Sequence, residues 1–485
     1  MRRCCCVAIS LALLLVFTAQ AVAQAPIGWQ TDTALSTKKA DYFALLKANT
    51  IDSDRQGVEK FFDNYYFSRW TLPGATGAVR GYAQELVAQD FKDLAGGARD
   101  YLLNKSFDSL RKMAADQTVT PTARYNAILT IGLLNQRDAP NNTTRPVPYA
   151  QALTYLVKEY EKQDNPDYIR LGALLGMLRH AQLEIADVEM KETTLPTLMV
   201  NIVQDGKPAE RQDDEQELLD CFRLRAMDTL GALKSTGPRG EIIKLFLGVM
   251  ANSQESIDVR CYAARKLADL NFQAAATAGI QIDFQGVADV LLDLARVTCD
   301  VELQRIEAAR NKAKATIGTG VAVIGRADVD PDFSLLPVDA QYEVTNAVQR
   351  LKSQFTDINW GIRGDRFAGA TTVGILPMLP ADDPLVGKLS STAKAISLLF
   401  KFLDEGPPVE KTPTTQPRSG AGPGMGPGMG PGAGPGMGPG AGPGMGAGTT
   451  PPAPDPKALK VNLGLIRDKL QEFSDKINEI IAGKS

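Results

Sequence analysis

A short pattern, arginine followed three positions later by alanine, recurs along the middle of the chain and constrains the fold more than any other feature. Its five instances are Arg124-Tyr-Asn-Ala127, Arg170-Leu-Gly-Ala173, Arg223-Leu-Arg-Ala226, Arg260-Cys-Tyr-Ala263 and Arg305-Ile-Glu-Ala308. The arginines lie 37 to 53 residues apart. That interval is typical of two-helix repeats.

Apolar residues follow the alanine at helical spacing. Four positions on, the first four units carry Ile131, Met177, Leu230 and Leu267; seven positions on, three carry Leu134, Leu233 and Leu270. Alanine is small, so a repeated alanine lets two helices approach closely, and the apolar residues lie on the same face. We expect the arginine to lie toward neighbouring carbonyls or an acidic residue of the preceding repeat.

This stretch resembles the HEAT-repeat superfamily, and Asp258-Val259-Arg260-Cys261-Tyr262-Ala263 is the best match to its second-helix signature. The resemblance covers residues 120–316 and implies an all-α, HEAT-like solenoid. The fifth unit departs from the pattern, because Lys312 stands where an apolar residue is expected. An irregular helical array in which the pattern recurs by chance is the alternative.

The N-terminus has the pattern of a secretory signal over residues 1–23. Arg2 and Arg3 precede an apolar run, and Ala21-Val22-Ala23 supplies the small residues of a cleavage site. An uncleaved anchor is the alternative, but no later apolar run is long enough to span a membrane. Three cysteines remain after residue 23, too few for a disulfide framework. The sequence therefore predicts a secreted, periplasmic or cell-envelope protein.

Helical regions flank the repeats. Residues 24–119 show amphipathic patterns with an aromatic group, Phe61, Phe62, Tyr65 and Tyr66, whose spacing predicts core packing. Residues 317–405 are less regular and are expected to cap the repeats, whose terminal units otherwise expose apolar faces.

Composition changes sharply at residue 406. Glycine occupies every even position from Gly420 to Gly448, alternating with Pro, Met and Ala, so residues 406–456 are predicted to be a disordered linker. In residues 457–485 a heptad seam returns: Leu459, Leu463, Ile466, Leu470, Phe473, Ile477 and Ile480. One amphipathic helix is marginal alone in water. The seam is therefore expected to pack on the main domain, on a second copy or on a protein partner.

No motif predicts a catalytic, cofactor or metal site. The formal charge is −3, and without Arg2 and Arg3 it is −5, with no basic stripe for nucleic acid. A G-x-S-x-G sequence, a Walker loop and H-E-x-x-H are absent. The only histidine, His180, falls where other units place leucine and is expected in the core or at a helix end. The acidic patch Asp213–Glu215 is expected to be solvated.

These observations favour a non-enzymatic protein-interaction scaffold of the cell envelope that binds partners or itself through the C-terminal helix. A self-assembling structural envelope protein is the first alternative. An enzyme or enzyme accessory whose site forms only in three dimensions, around carboxylates such as Asp213 to Glu215, is the second.

Overall fold

Helices dominate the computed structural model, which describes residues 29–139, 144–183, 185–205, 213–318, 338–364, 374–406 and 461–483. This confirms the prediction of an all-α chain. The helices are α1 (Lys39–Lys47), α2 (Arg55–Phe61), α3 (Val79–Glu85), α4 (Gly96–Ala115), α5 (Pro121–Leu133), α6 (Ala150–Glu161), α7 (Asp167–Gln182), α8 (Leu195–Gln204), α9 (Asp213–Leu233), α10 (Glu241–Ala251), α11 (Ile257–Leu267), α12 (Phe272–Thr277), α13 (Phe284–Gly318), α14 (Val338–Arg363), α15 (Pro384–Glu405) and α16 (Leu463–Ile481).

A small hairpin, which the sequence did not predict, is the only sheet in the described part of the chain. Strand β1 (Asn135–Arg137) pairs antiparallel with β2 (Val147–Pro148) between α5 and α6. Arg99 of α4 donates hydrogen bonds to the carbonyls of Asn135 and Gln136. These bonds hold the hairpin against α4.

Two compact units divide the chain. Unit 1 comprises residues 1–298, 353–393 and 477–485, and unit 2 comprises residues 299–352 and 394–476. Each unit therefore combines segments that are distant in sequence, whereas the boundaries predicted at residues 316 and 405 follow sequence order.

The N-terminal part of unit 1 packs around aromatic side chains. Phe61, Phe62 and Tyr66 are fully buried, as the spacing predicted, while Tyr65 is partly exposed. Helix α2 continues into a π-helical turn at Phe62–Tyr66, and α3 continues into another at Leu86–Asp90.

Helices α4 to α11 form four successive pairs in unit 1: α4 with α5, α6 with α7, α8 with α9, and α10 with α11. In each pair the later helix, called the second helix here, carries the Arg-x-x-Ala pattern. The second helices also contact one another in order, α5 with α7, α7 with α9, and α9 with α11. The chain thus forms a row of second helices, each with a first helix packed against it.

Glycines permit the tightest approach in this row. A Cβ atom built on Gly132 of α5 would lie 2.6 Å from the Cα atom of Gly176 in α7, closer than real atoms come. A Cβ atom on Gly172 would lie 2.4 Å from the Ile128 side chain. Glycine at these positions therefore lets α5 and α7 pack backbone to backbone.

The row ends where α14 covers the last second helix. Within unit 1, Gln354 of α14 donates a hydrogen bond of 2.9 Å to Asp258 of α11. The Arg265 guanidinium of α11 lies 4.0 Å from the centre of the Trp360 ring. A Cβ atom on Gly361 would lie 2.8 Å from the carbonyl oxygen of Ala264, so the two backbones are also in close contact.

Unit 2 is a bundle of four helical segments from α13, α14, α15 and α16. Glu302 and Lys312 of α13 contact Arg350 and Glu343 of α14, so these two helices run antiparallel. Lys352 of α14 contacts Asp404 of α15. The remaining two contacts close the ring: Lys469 of α16 with Phe402 of α15, and Arg467 of α16 with Glu307 of α13.

Candidate interaction surfaces

The first four of the five motif arginines make the same contact, each with its own pair of helices. The Nε–H group donates to the carbonyl oxygen of the last residue but one of the preceding first helix: Arg124 to Ala114 (3.0 Å), Arg170 to Tyr160 (3.3 Å), Arg223 to Val203 (3.0 Å) and Arg260 to Met250 (2.6 Å). The last four carbonyls of a helix lack partners within it. Each arginine therefore satisfies one of these carbonyls and fixes the geometry of its pair.

The guanidinium groups of Arg124, Arg170 and Arg223 also contact the next pair of helices. Arg124 Nη1 donates to the hydroxyl of Tyr168 at 2.9 Å, and Arg223 makes two hydrogen bonds of 2.7 Å with the carboxylate of Glu255. The Arg170 guanidinium lies 5.7 Å from the centre of the Phe222 ring. We call this series of contacts the arginine ladder. Of the two partners expected from sequence, the carbonyl is found in all four units. The acidic partners of Arg170 and Arg223 are Asp167 and Asp220 on the arginines' own helices and Glu255 of the following unit, and none of these three belongs to the preceding repeat.

The alanines and the apolar positions behind them are buried as the pattern predicted. Ala127, Ala173, Ala226 and Ala263 are fully buried, and so are the residues four positions further on. The fifth unit differs. Arg305 pairs with Glu302 of its own helix, and Ala308 is exposed. The repeat geometry is therefore limited to α4 through α11.

One face of the row leaves apolar side chains partly exposed. The residue after the motif arginine is Tyr125, Leu171 and Leu224 in the first three second helices, and Leu129 and Leu175 lie one turn further on. All five are partly exposed. We call them the second-helix face. On α11 the residue corresponding to Leu129 and Leu175 is Arg265, which contacts Trp360 of α14.

The C-terminal seam lies in the interior of the chain. Leu463, Ile466, Leu470, Phe473, Ile477 and Ile480 are all buried, with four of the six fully so; Leu459 lies outside the described residues. Residues 463–476 belong to unit 2 and form the fourth side of its bundle. The predicted linker, the signal segment and the side chains of Asp213 to Glu215 also lie outside the described residues.

A charged cluster in the N-terminal region was not apparent from sequence. Lys39 contacts the carboxylates of Glu85 and Asp90, Arg69 donates to Glu85 at 2.6 Å, and the Tyr66 hydroxyl donates to Asp90. Asp90 and Tyr66 each end a π-helical turn. These residues come from four separate elements, so no local spacing revealed them.

Burial and pairing set the ionisation of this cluster. Burial raises the pKa of Asp90 despite its contacts with Lys39 and Tyr66. Burial also acts to raise the pKa of Glu85, but the hydrogen bond from Lys39 and the charge of Arg69 outweigh burial. The pKa of Glu85 is therefore lowered. Two cations therefore face two carboxylates, and the arrangement is electrically balanced.

The pKa of His180 is lowered to about 4 because its side chain is buried and lies near the charge of Arg179. Its residue surface is 1% exposed, and its Nε2 atom has no hydrogen-bond partner. A neutral imidazole in the core, at the position where other units carry leucine, matches the expectation from sequence.

A polar cleft of about 520 Å³ lies where the loops of the first two pairs meet. Its buried carboxylate, Glu159, accepts hydrogen bonds from Lys162 (2.6 Å) and Asn165 (2.9 Å). The buried carboxylate of the cleft is thus held by the protein's own side chains.

Within the part of the chain that the structure describes, no three His, Cys, Asp or Glu side chains are arranged to hold a metal ion. The same residues contain no helix long and apolar enough to cross a membrane. The side chains of Cys221, Cys261 and Cys299 are buried.

Comparison with known proteins gives no relative: no family model, no curated protein and no solved structure matches this chain.

Proposed function

We propose that this chain is an exported, non-enzymatic protein-interaction scaffold of the cell envelope, built on a HEAT-like helical array. The single observation that carries the proposal is the second-helix face, where equivalent positions of consecutive helices present partly exposed apolar side chains. Partly exposed apolar side chains at matching positions of neighbouring helices are the kind of residue from which protein interaction patches are formed. Export rests on the signal pattern of residues 1–23.

The arginine ladder supports the scaffold function. Each rung fixes a first helix to its second helix, and the rungs of Arg124, Arg170 and Arg223 also contact the next pair. Three second helices are thus held in a fixed spacing, which presents Tyr125, Leu171 and Leu224 as one surface. A rigid surface loses little conformational entropy when a partner binds.

The contact between α11 and α14 indicates what kind of partner the face accepts. Here the chain places one of its own helices on a second helix, with Gly361 against the α11 backbone and Trp360 against Arg265. The corresponding positions on α5 and α7 are Leu129 and Leu175. An amphipathic helix of a partner protein, laying apolar residues into the row, has the matching chemistry.

Site-specific photo-crosslinking tests the proposal. A photoreactive phenylalanine analogue replaces Leu175 on the face, or Lys158 on the exposed side of α6 as the matched control. Illumination of cells that produce the protein is expected to yield an adduct of discrete mass from position 175 and none from position 158. Equal adducts at both positions, or none at either, would argue against the second-helix face as a binding surface.

A further inference from the structure

The bundle of unit 2 contains one helix that differs from the other three in how it is attached. Helix α16 follows a stretch of 54 residues that separates Gly406 from Val461. Covalent geometry allows a chain of that length to span at most about 190 Å. Like α13 to α15, α16 also reaches unit 1, with residues 477–481, but its continuation there is the shortest of the four.

The contacts of α16 within the bundle are mostly apolar. Ile466 and Leu470 are fully buried, and Phe473 is 4% exposed. Arg467 lies 3.9 Å from Glu307 of α13, but both side chains remain about two-fifths exposed, at 41% and 45%. Exposed ion pairs contribute little, so the seam supplies most of the attraction.

The neighbouring pair α13 and α14 is joined differently. Glu302 of α13 is fully buried, and its carboxylate contacts Arg305 of the same helix at 2.6 Å and Arg350 of α14 at 3.2 Å. A buried charge that loses its partner is strongly penalised, which favours a single register between these two helices. The contacts between Arg467, Lys469 and the bundle lie at its edge and impose no comparable penalty.

We propose that the surface of α13, α14 and α15 beneath α16 is a binding site for an amphipathic helix, and that its partner is α16 of a second copy of this chain. A second copy presents the same seam, and therefore fills the site with the same contacts. The balance between the two arrangements depends on the effective concentration of the tethered helix, which is about millimolar for short flexible tethers and falls as a tether lengthens beyond the span that it must cross. This exchange does not depend on the second-helix face.

Cross-linking between two differently labelled chains tests the exchange. One version of residues 24–485 carries Glu307→Cys and the other Arg467→Cys; the three remaining native thiols are buried. The two are mixed near the effective concentration, incubated and treated with a short bis-maleimide. A chain carrying both substitutions shows the product of docking within one molecule.

The matched control uses the ion pair between Lys105 and Asp63, whose atoms lie 2.7 Å apart in the N-terminal region. Mixing an Asp63→Cys chain with a Lys105→Cys chain samples random encounter, because no tethered helix joins these residues. We expect the Glu307→Cys and Arg467→Cys mixture to give at least tenfold more inter-chain product, rising with protein concentration. A yield equal to the control, with efficient linking inside the doubly substituted chain, would overturn the proposal and leave α16 as a helix of its own bundle only.

Discussion

Arg223 and Glu255 form the most complete rung of the arginine ladder: two hydrogen bonds of 2.7 Å join them, while the arginine Nε–H group binds the Val203 carbonyl at 3.0 Å. The Arg223 side chain is 2% exposed and that of Glu255 is 9% exposed. One side chain thus connects the end of α8, its own helix α9 and the loop before α11.

Replacing this arginine is expected to destabilise the array. The Arg223→Met change leaves the Glu255 carboxylate and the Val203 carbonyl buried without their partner, a loss of about 3–5 kcal/mol. Arg111→Met is the control, because its pair with Asp108 is more than half exposed on both sides and such pairs contribute about 0–1 kcal/mol. Urea unfolding followed by circular dichroism measures both. Equal midpoints for the two variants would contradict the structural role of the ladder.

The glycine contact between α5 and α7 predicts opposite effects for two similar substitutions. Gly132→Ala places a methyl group against Gly176 and is expected to lower stability by about 1–3 kcal/mol, as overpacking does. Gly248→Ala in α10 meets nothing within 4 Å and is expected to raise stability by about 0.5–1 kcal/mol, because alanine favours the helix. Thermal unfolding of both variants checks the sign, and a stabilising Gly132→Ala would show that the helices are not in close contact.

His180 predicts a loss of stability in acid. Its folded pKa of about 4 lies below the ordinary value of 6.5, so the unfolded chain takes up a proton first as the pH falls. Above pH 6.5 both states are neutral and the free energy of unfolding is unaffected. As the pH falls toward 4 the free energy of unfolding decreases, by about 2–3 kcal/mol at pH 4.5. The His180→Leu variant carries the leucine found at this position in other units, and it lacks the pH dependence that the histidine causes. Since the chain has no other histidine, the difference in unfolding free energy between variant and parent should grow between pH 7.5 and 4.5. A constant difference would contradict the buried neutral imidazole.

The N-terminal charged cluster depends on Lys39. Lys39→Met leaves Glu85 and Asp90 with Arg69 as the remaining cation of the cluster and is expected to destabilise the chain by about 2–4 kcal/mol. The adjacent Lys38 is the control, because its pair with Asp41 is exposed on both sides. Lys38→Met should change stability by less than about 0.5 kcal/mol. If both lysines behave alike in urea unfolding, the cluster does not hold α1 against α3.

The seam of α16 predicts a sharp difference between neighbouring residues. Leu470 is fully buried, so Leu470→Glu introduces a charge into the bundle and is expected to cost about 4 kcal/mol or more. Gln471 is exposed, and Gln471→Glu should be nearly silent. Protection of α13 and α16 amides in hydrogen exchange provides the readout. Unchanged protection in the Leu470→Glu chain would show that α16 does not pack in the bundle.

The array was largely predictable, because its information is local. Arg260 and Ala263 are three residues apart, and the helical period alone places the alanine in the interior and the arginine one turn away, within reach of a neighbouring helix. The burial of His180 followed from its place in the same register. The heptad spacing of Leu470 and its neighbours likewise predicted a buried seam, although not the surface that buries it.

What the sequence did not reveal depends on contacts between distant segments or on small changes of helical pitch. Lys39 and Asp90 are 51 residues apart, and Asp90 lies in a π-helical turn that no composition marks. Arg467 and Glu307 are 160 residues apart, so neither identity nor spacing pairs them. The division into units has the same origin, since the four segments of the bundle come from separate parts of the chain.

The bundle is completed only after α16 has been synthesised, because its other three segments precede α16 in the sequence. Residues 299–352 and 394–405 leave the ribosome well before Arg467 and Leu470, and until then the apolar side chains that α16 covers have no helix over them. A chain that stops before α16 would retain the arginine ladder but leave this apolar surface exposed to solvent. Helix α16 therefore determines whether the apolar surface beneath it is covered, and chaperones or proteases that recognise exposed apolar surface would act on chains that lack this helix.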